Sequence, residues 1–143
     1  MVTMDTFHSS PTKILEEAEG YLRILEASLH RKSKFNNQFL MGISAMCIEK
    51  LYMYLLLKHN QIPAHHTPIG LYREARDYTD LPEHVINTTR LISSFESICS
   101  FDGFGYKTPS GDELRQITEG LLKMKLFLVN DVKKDNKREA PVG

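Results

Sequence analysis

The sequence predicts an all-α fold, an up-down four-helix bundle with a short additional helix. Five segments place apolar residues at the three- and four-residue steps of a helix, and none alternates apolar and polar residues as a strand would. The four longer segments have short connections, which favours antiparallel packing of neighbours. In a chain of 143 residues, we expect a flexible N-terminus over 1–12, a single helical domain over 13–134 and a disordered tail over 135–143.

The first two helices carry the clearest apolar patterns. The first is predicted over 13–31, and its single stripe consists of Leu15, Ala18, Leu22, Leu25 and Leu29. The second is predicted over 34–59 and is apolar nearly all round between Leu51 and Leu57, so it needs neighbours on several sides. One of its apolar lines consists of Phe39, Ile43, Met46, Tyr54 and Leu57. We expect this second helix to be the centre of the fold.

Capping residues mark the starts of the next two helices. Thr67 precedes Pro68, which suits the first position of a helix because no amide donor is needed there, and a short third helix is expected to begin at this point. Asp80 and Glu83 have the spacing of a capping box. They are expected to open a fourth helix that ends near Ser100.

A fifth helix is predicted to begin at Thr108 or Ser110, because Ser110 and Glu113 repeat the capping-box spacing. Its expected buried stripe consists of Leu114, Ile117, Leu121, Met124, Leu128 and Val132. Phe101–Thr108, rich in glycine and aromatic residues, reads as the connection before it.

Composition excludes several classes of protein. The 18 Lys+Arg balance 18 Asp+Glu, so the chain lacks the net positive charge expected of a dedicated DNA-binding protein. Cys47 and Cys99 fall on apolar helix positions and are expected to be inert core thiols. The apolar stretch 35–57 contains Glu49 and Lys50, which are costly in a bilayer, so we expect no membrane association and a cytoplasmic location.

The second helix and the loop after it carry an order of motifs that resembles the HEPN domain family. A Glu-Lys pair follows small residues, a leucine-rich helix end comes next, and a proline-containing loop leads to a histidine near a short helix. The stretches concerned are 44–50, 55–60, 62–63 and 66–67. Tyr106 precedes the last helix, as an aromatic residue often does in this family. The resemblance covers residues 13–132.

The resemblance implies a homodimer, or pairing with a nucleotidyltransferase-like protein, and a link to RNA or nucleotides. Many HEPN proteins are metal-independent ribonucleases of toxin–antitoxin and defence systems, with an Arg followed at short spacing by a His near the fourth helix. In this chain, seven residues and a proline-containing turn separate Arg76 from His84. Arg23 and His30 match the motif formally, but they lie in the first helix. We therefore expect no catalytic centre of the Arg/His kind.

Five residues are predicted to bind a ligand. Lys50 lies inside an apolar helix, where it either lines a pocket or pairs with a charge on another helix. Arg90 and His66 are candidate pocket residues as well, although His66 could instead anchor its loop by a hydrogen bond. Tyr106 could stack on a base while Lys107 meets a phosphate; the alternative is a tight turn supported by glycines.

No metal site is expected. His59, His65 and His66 cluster around one loop, but neither a Cys-x-x-Cys nor a His-Glu-x-x-His motif accompanies them. The glycine-rich stretch 103–108 lacks the spacing of a phosphate-binding P-loop and follows a helix rather than a strand. We expect no cofactor.

These observations lead to one expected function and two alternatives. The expected function is a HEPN-like binding or adaptor module, homodimeric, that is linked to nucleotide or RNA and lacks hydrolytic activity. The first alternative is a divergent ribonuclease that uses Arg76 and His84. The second is a helical bundle that binds only other proteins, for which an exposed apolar patch without a basic rim would be diagnostic.

Overall fold

The computed structural model of the protein describes residues 10–30, 35–97 and 108–138, with the backbone alone at 97 and over 131–138. Within these ranges the chain forms five α-helices and no strand. They are α1 (Pro11–His30), α2 (Asn37–Lys58), α3 (Pro68–Ala75), α4 (Glu83–Ser97) and α5 (Gly111–Arg138). The all-α prediction is confirmed for the part of the chain that the structure describes.

Helix α2 is the centre of the fold, as predicted. It contacts each of the other four helices, whereas α1 packs against α2 and α5. Ile48, Leu51, Tyr52 and Leu55 are completely buried. Because these residues project in several directions around the helix, α2 can bury them only by having neighbours on several sides.

Side-chain contacts fix the direction of neighbouring helices. The Cys47 thiol donates to the carbonyl oxygen of Ala18 at 3.6 Å, and Lys50, further along α2, meets Glu17, earlier in α1. Helices α1 and α2 are therefore antiparallel. The Asn37 side chain, at the start of α2, donates to the carbonyl oxygen of Pro109 at 3.0 Å, so α2 and α5 begin at the same end of the molecule.

Helices α4 and α5 also run antiparallel and pack closely. The ring of His84, at the start of α4, lies edge-on to Phe127, while Thr88, one turn later, touches Gly120, earlier in α5. A β-carbon added at Gly120 would overlap the Thr88 hydroxyl group. The close packing of the two helices therefore requires glycine at position 120 of α5.

Two of the predicted caps are present. The Thr67 side chain accepts from the Gly70 amide at 3.1 Å, with Pro68 in the first helical position of α3. At α5 the capping box is reciprocal: the Ser110 amide donates to Glu113 at 3.0 Å, and the Glu113 amide donates to the Ser110 hydroxyl at 3.1 Å. Local sequence therefore sets both helix starts.

The predicted cap of α4 is wrong. The helix begins at Glu83, three residues after Asp80. The carbonyl of Pro82 accepts from the amides of Val85 and Ile86 at 3.0 and 3.3 Å, so Pro82 occupies the position where Asp80 was expected to act. Proline is disfavoured inside a helix but suits its edge, and this preference prevails over the capping-box spacing.

The apolar stripes are confirmed in part. Ala18, Leu22 and Leu25 of α1 are buried and so is Ile14, while Leu15 and Leu29 are only partly buried. Helix α1 begins at Pro11, two residues earlier than predicted. The predicted α5 stripe is buried from Leu114 to Leu128, while the side chain of Val132 lies outside the described residues.

Two residues of the predicted α2 line are exposed instead. Phe39 and Met46 have relative exposures of 46% and 45%. None of the described helices covers this part of α2, so the same helix is buried on its other sides and open here.

The chain ends differ from expectation at the C-terminal side. Helix α5 continues to Arg138, four residues into the stretch that was expected to be a disordered tail. Residues 135–138 include Lys137 and Arg138, which favour helices, and contain neither Gly nor Pro. Residues 1–9 and 139–143 lie outside the described ranges.

One described helix, α2, is long and apolar enough to cross a membrane by length and composition alone. However, 61% of its most apolar window is buried inside the protein, which is compatible with a core helix.

Candidate functional site

A groove of about 300 Å³ lies between α3 and α4 and brings three arginines together. Its walls contain no carboxylate. The lining residues are Ile69, Tyr72, Arg73, Arg76, Ile86, Thr89 and Arg90. A concave surface with convergent cationic groups is the arrangement expected of an anion site.

Helix periodicity explains why these side chains converge. Ile69 and Arg73 of α3 and Arg76, which caps the end of this helix, are four and three residues apart, so they lie on one face. On α4, Ile86 and Arg90 are four residues apart and share a face in the same way. Because α3 packs against α4, the two faces form opposite walls of the groove.

The floor of the groove is a buried hydrogen-bond chain. Tyr52 of α2 donates to the Thr89 hydroxyl at 2.5 Å, and Thr89 donates to the Val85 carbonyl at 2.8 Å. Burial raises the pKa of Tyr52 far above its ordinary value, an effect that its bond to Thr89 only partly offsets. Tyr52 therefore stays protonated and ties the groove to the central helix.

The arginine heads of the groove are accessible. Arg73, Arg76 and Arg90 are all exposed, and none of the ion pairs found among the described residues involves them. The Arg76 guanidinium lies 5.8 Å from the centre of the Tyr72 ring. A guanidinium stacked in this way keeps its edge N–H groups available for a phosphate or carboxylate.

Two of the groove arginines were candidates from the sequence, and one was missed. Arg76 was named only as the runner-up catalytic residue, and Arg90 was predicted to bind a ligand. Arg73 was not singled out. Its three-residue spacing from Arg76 on a short helix was the available signal, because residues at this spacing lie side by side.

His84 does not join Arg76 in the groove. It projects from the other side of α4, with its ring centre 6.5 Å from that of Phe127. Its Nδ1 atom is buried without a hydrogen-bond partner in the described structure. Arg23 and His30, the formal match to the ribonuclease motif, are both exposed on α1. Arg76 and His84 are therefore not assembled as a catalytic pair.

Lys50 is held in an ion pair between helices. Its Nζ atom lies 2.9 Å from Glu17 of α1. Next to it, Glu49 lies 3.8 Å from the ring of His66. Burial raises the pKa of Glu96 on α4, and the nearby Glu49 raises it further. Lys50 and His66 thus have carboxylate neighbours and lie apart from the lining of the arginine groove.

The loop before α3 is anchored by His65, not by His66 as expected. Glu74 of α3 accepts from the amides of Ala64 and His65 at 2.9 and 3.0 Å, and its Oε2 lies 2.9 Å from the His65 ring. The His66 side chain is 87% exposed. Burial acts to raise the pKa of Glu74, but these hydrogen bonds outweigh it and the pKa lies below its ordinary value.

The three loop histidines do not converge on a metal. His59 instead stacks on Tyr78, with ring centres 5.6 Å apart. Within 10–30, 35–97 and 108–138, no group of three or more His, Cys, Asp or Glu side chains is placed to hold a metal ion.

Two other expectations depend on residues that the structure does not describe. Tyr106 and Lys107 lie outside the described residues, and so does Cys99. Cys47 is completely buried, and burial raises the pKa of its thiol to about 12, with Lys125 lowering it slightly. Cys47 is the inert core thiol that the sequence predicted.

A larger cavity, of about 660 Å³, lies where α1 ends and where α2 and α5 begin. Its walls mix apolar and polar side chains, and His30 is the one ionisable side chain among the described lining residues. Size alone therefore does not make it the better candidate for an anion, because neither a lysine nor an arginine is among these residues.

Comparison with known proteins adds no relative: no protein-family model matches the chain, and no curated protein and no solved structure is significantly similar to it.

Proposed function

We propose that this chain is a HEPN-like binding or adaptor module that recognises the phosphate groups of a nucleotide or RNA without hydrolysing them. The ligand binds in the groove between α3 and α4. The active form is a homodimer in the cytoplasm, and a nucleotidyltransferase-like protein is the alternative partner. The four long helices form an up-down bundle of the HEPN type.

One observation carries the ligand class: three exposed arginines line one groove that has no carboxylate in its walls. Each guanidinium offers paired N–H donors that match the oxygens of a phosphate. The volume of about 300 Å³ is at the lower end of ligand sites, so it suits one nucleotide unit better than a duplex.

The proposed up-down bundle is supported by the packing directions of the helices, and the proposed HEPN-like family is supported by the order of the motifs. Helices α1 and α2 are antiparallel, as are α4 and α5, and a short connection joins α1 to α2. The helix with the Glu-Lys pair is central, and a short helix follows the proline-containing loop, as the resemblance requires.

The absence of hydrolysis is proposed from the positions of Arg76 and His84. Metal-independent cleavage requires a group that transfers a proton beside the phosphate. His84 packs against Phe127 on the other side of α4, and the described residues that line the groove include no His, Asp, Glu, Lys or Cys side chain.

Binding to a fluorescently labelled single-stranded RNA tests the proposal, with a nucleoside monophosphate as competitor. In fluorescence anisotropy, we expect the double variant Arg76→Gln/Arg90→Gln to bind at least about tenfold more weakly, since two charge-assisted contacts are lost. The matched control is Arg115→Gln, which removes an exposed arginine from α5 and should leave the affinity unchanged.

The integrity of the same RNA separates binding from cleavage. After incubation with wild-type protein it should remain full length on a denaturing gel. Equal affinity of the double variant and the wild type for RNA would refute the groove as the binding site. Cleavage that is lost on His84→Ala or Arg76→Ala would instead establish the divergent ribonuclease.

A second candidate function, the purely protein-interaction bundle, is favoured by a different observation. Phe35, Phe39 and Met46 form an exposed apolar line on one side of the molecule. If no nucleotide or RNA binds, this surface is the remaining candidate for function.

A further inference from the structure

One surface of the protein is apolar and open to solvent. We call it the α2 stripe, and it consists of Phe35, Phe39, Gly42 and Met46. The relative exposures of its three large side chains are 48%, 46% and 45% in chain order. The rings of Phe35 and Phe39 stack with their centres 4.7 Å apart. Phe39, Gly42 and Met46 are three and four residues apart and so lie on one side of α2. Phe35, which precedes the helix, joins them through its stacked ring.

Nothing among the described residues requires glycine at position 42. A β-carbon built there would meet nothing within 4 Å, and the residue is exposed in the middle of a regular helix. Glycine destabilises such a position relative to alanine. At Gly120, by contrast, a close neighbour within the chain requires glycine. The described part of the chain therefore leaves room at Gly42 for the backbone of a partner to come close.

We infer that the α2 stripe is the centre of a surface on which a second copy of this chain docks, with the two α2 helices antiparallel across a two-fold axis near Gly42. This inference rests on the proposed pairing of two copies and names the surface that forms the pair. It does not depend on the ligand of the arginine groove.

The positions in the stripe are complementary to themselves. With the axis near Gly42, Phe39 of each copy lies against Met46 of the other, a favourable contact between sulfur and an aromatic ring. Phe35 then meets the methylene chain of Lys50, whose charged head remains with Glu17. The absence of a β-carbon at Gly42 lets the two helices approach most closely at the axis.

The distribution of charge favours a second copy over an unrelated partner. A charged residue on a two-fold axis would face the same residue of the second copy and be repelled by it. The α2 stripe contains no charged residue. In the antiparallel arrangement, Glu49 of each copy lies opposite the first turn of the other α2, where the helix dipole is positive. Glu49 is 35% exposed, and its contact with His66 is long, at 3.8 Å.

The area of the stripe predicts a reversible dimer. Large side chains that are about half exposed contribute roughly 250–300 Å² per copy, whereas a standard interface buries ~800 Å² on each side. The stripe therefore supplies the apolar centre of an interface, and polar positions of α1 and α2 around it supply the rim.

Sedimentation velocity of the full chain tests the inference. We expect wild type to show a concentration-dependent dimer, and Phe39→Glu to weaken it at least about a hundredfold, because two glutamates would face a buried centre. Phe39 is the third residue of α2 and its amide donates to the Asn36 cap, so glutamate there completes a capping box and keeps the fold. Leu126→Glu, which changes an exposed leucine of α5, is the matched control and should dimerise as wild type does.

Crosslinking tests the position of the axis. Under mild oxidation, Gly42→Cys should form a covalent dimer, whereas Leu126→Cys and wild type should not. A wild type that remains monomeric at every concentration reached overturns the inference. So does a Phe39→Glu variant that dimerises normally, since the pair would then use another face. In the second case the proposed function stands, and RNA binding by Phe39→Glu reports on the groove separately.

Discussion

Two glycines inside helices have opposite surroundings. A β-carbon at Gly42 would lie in open space, whereas one at Gly120 would overlap the Thr88 side chain. The same substitution should therefore have opposite effects on stability at the two positions.

We expect Gly42→Ala to raise the free energy of unfolding by about 0.5–1 kcal/mol, because alanine favours the helix and nothing obstructs it. Gly120→Ala should lower it by about 1–3 kcal/mol, since α4 and α5 must move apart. Urea denaturation of dilute protein measures both. A stabilising Gly120→Ala would contradict the close packing of these helices.

The predictions for single residues were weakest where the role of a side chain depends on the direction in which it points. His65 and His66 are adjacent, and only the path of the loop sets which of them faces Glu74. The sequence favoured His66, but the carboxylate of α3 meets His65. Arg73 was missed for a related reason: its role depends on α4 lying opposite, which α3 alone does not reveal.

At the level of elements, two identical capping-box spacings behave differently. Ser110 and Glu113 exchange hydrogen bonds, while Asp80 lies three residues before the first helical residue of α4. The pattern was the same in both stretches, and the proline after Asp80 made the difference.

Ser110→Ala should therefore lower the free energy of unfolding by about 1 kcal/mol, as is typical when a helix cap is removed. Asp80→Ala should change it by less than about 0.5 kcal/mol, as at an ordinary surface position. Thermal or urea unfolding compares the two variants directly. A larger loss for Asp80→Ala than for Ser110→Ala would show that Asp80 caps α4 after all.

The anchor of the loop before α3 should depend on pH. The pKa of Glu74 is lowered, so the ionised form stabilises the fold above the pKa of an unfolded glutamate, about 4.3. This contribution is lost as the pH falls through the lower, folded value. The difference in stability between wild type and Glu74→Gln should be constant near neutral pH and shrink in acid. A difference that grows on acidification would contradict this assignment.

The helices themselves were largely predictable, because their signals are local. Caps, proline positions and apolar periodicity gave the starts of α3 and α5 and the central position of α2. Periodicity could not show that Phe39 and Met46 would be exposed. It identifies an apolar face, but whether a neighbour covers that face depends on the packing of the whole chain.

For the whole molecule, the balance of 18 positive and 18 negative residues means that any attraction for a polyanion is local. Long-range steering is weak, so the salt dependence of RNA binding should report the contacts in the groove.

With at most three phosphate contacts on a single strand, the slope of log affinity against log salt should be no steeper than about −2. It should become shallower by about 0.7 for each groove arginine removed. Titrations of wild type and Arg76→Gln at several salt concentrations measure this change. A much steeper slope, unaltered in the variant, would place the binding surface elsewhere.

The thiol of Cys47 lies against the Ala18 carbonyl, beneath α1. Its high pKa and complete burial keep it unreactive while the two helices remain together. In a Cys99→Ser background, the rate at which Cys47 reacts with a thiol reagent would thus report transient detachment of α1. The chain carries its own probe of how often its first helix opens.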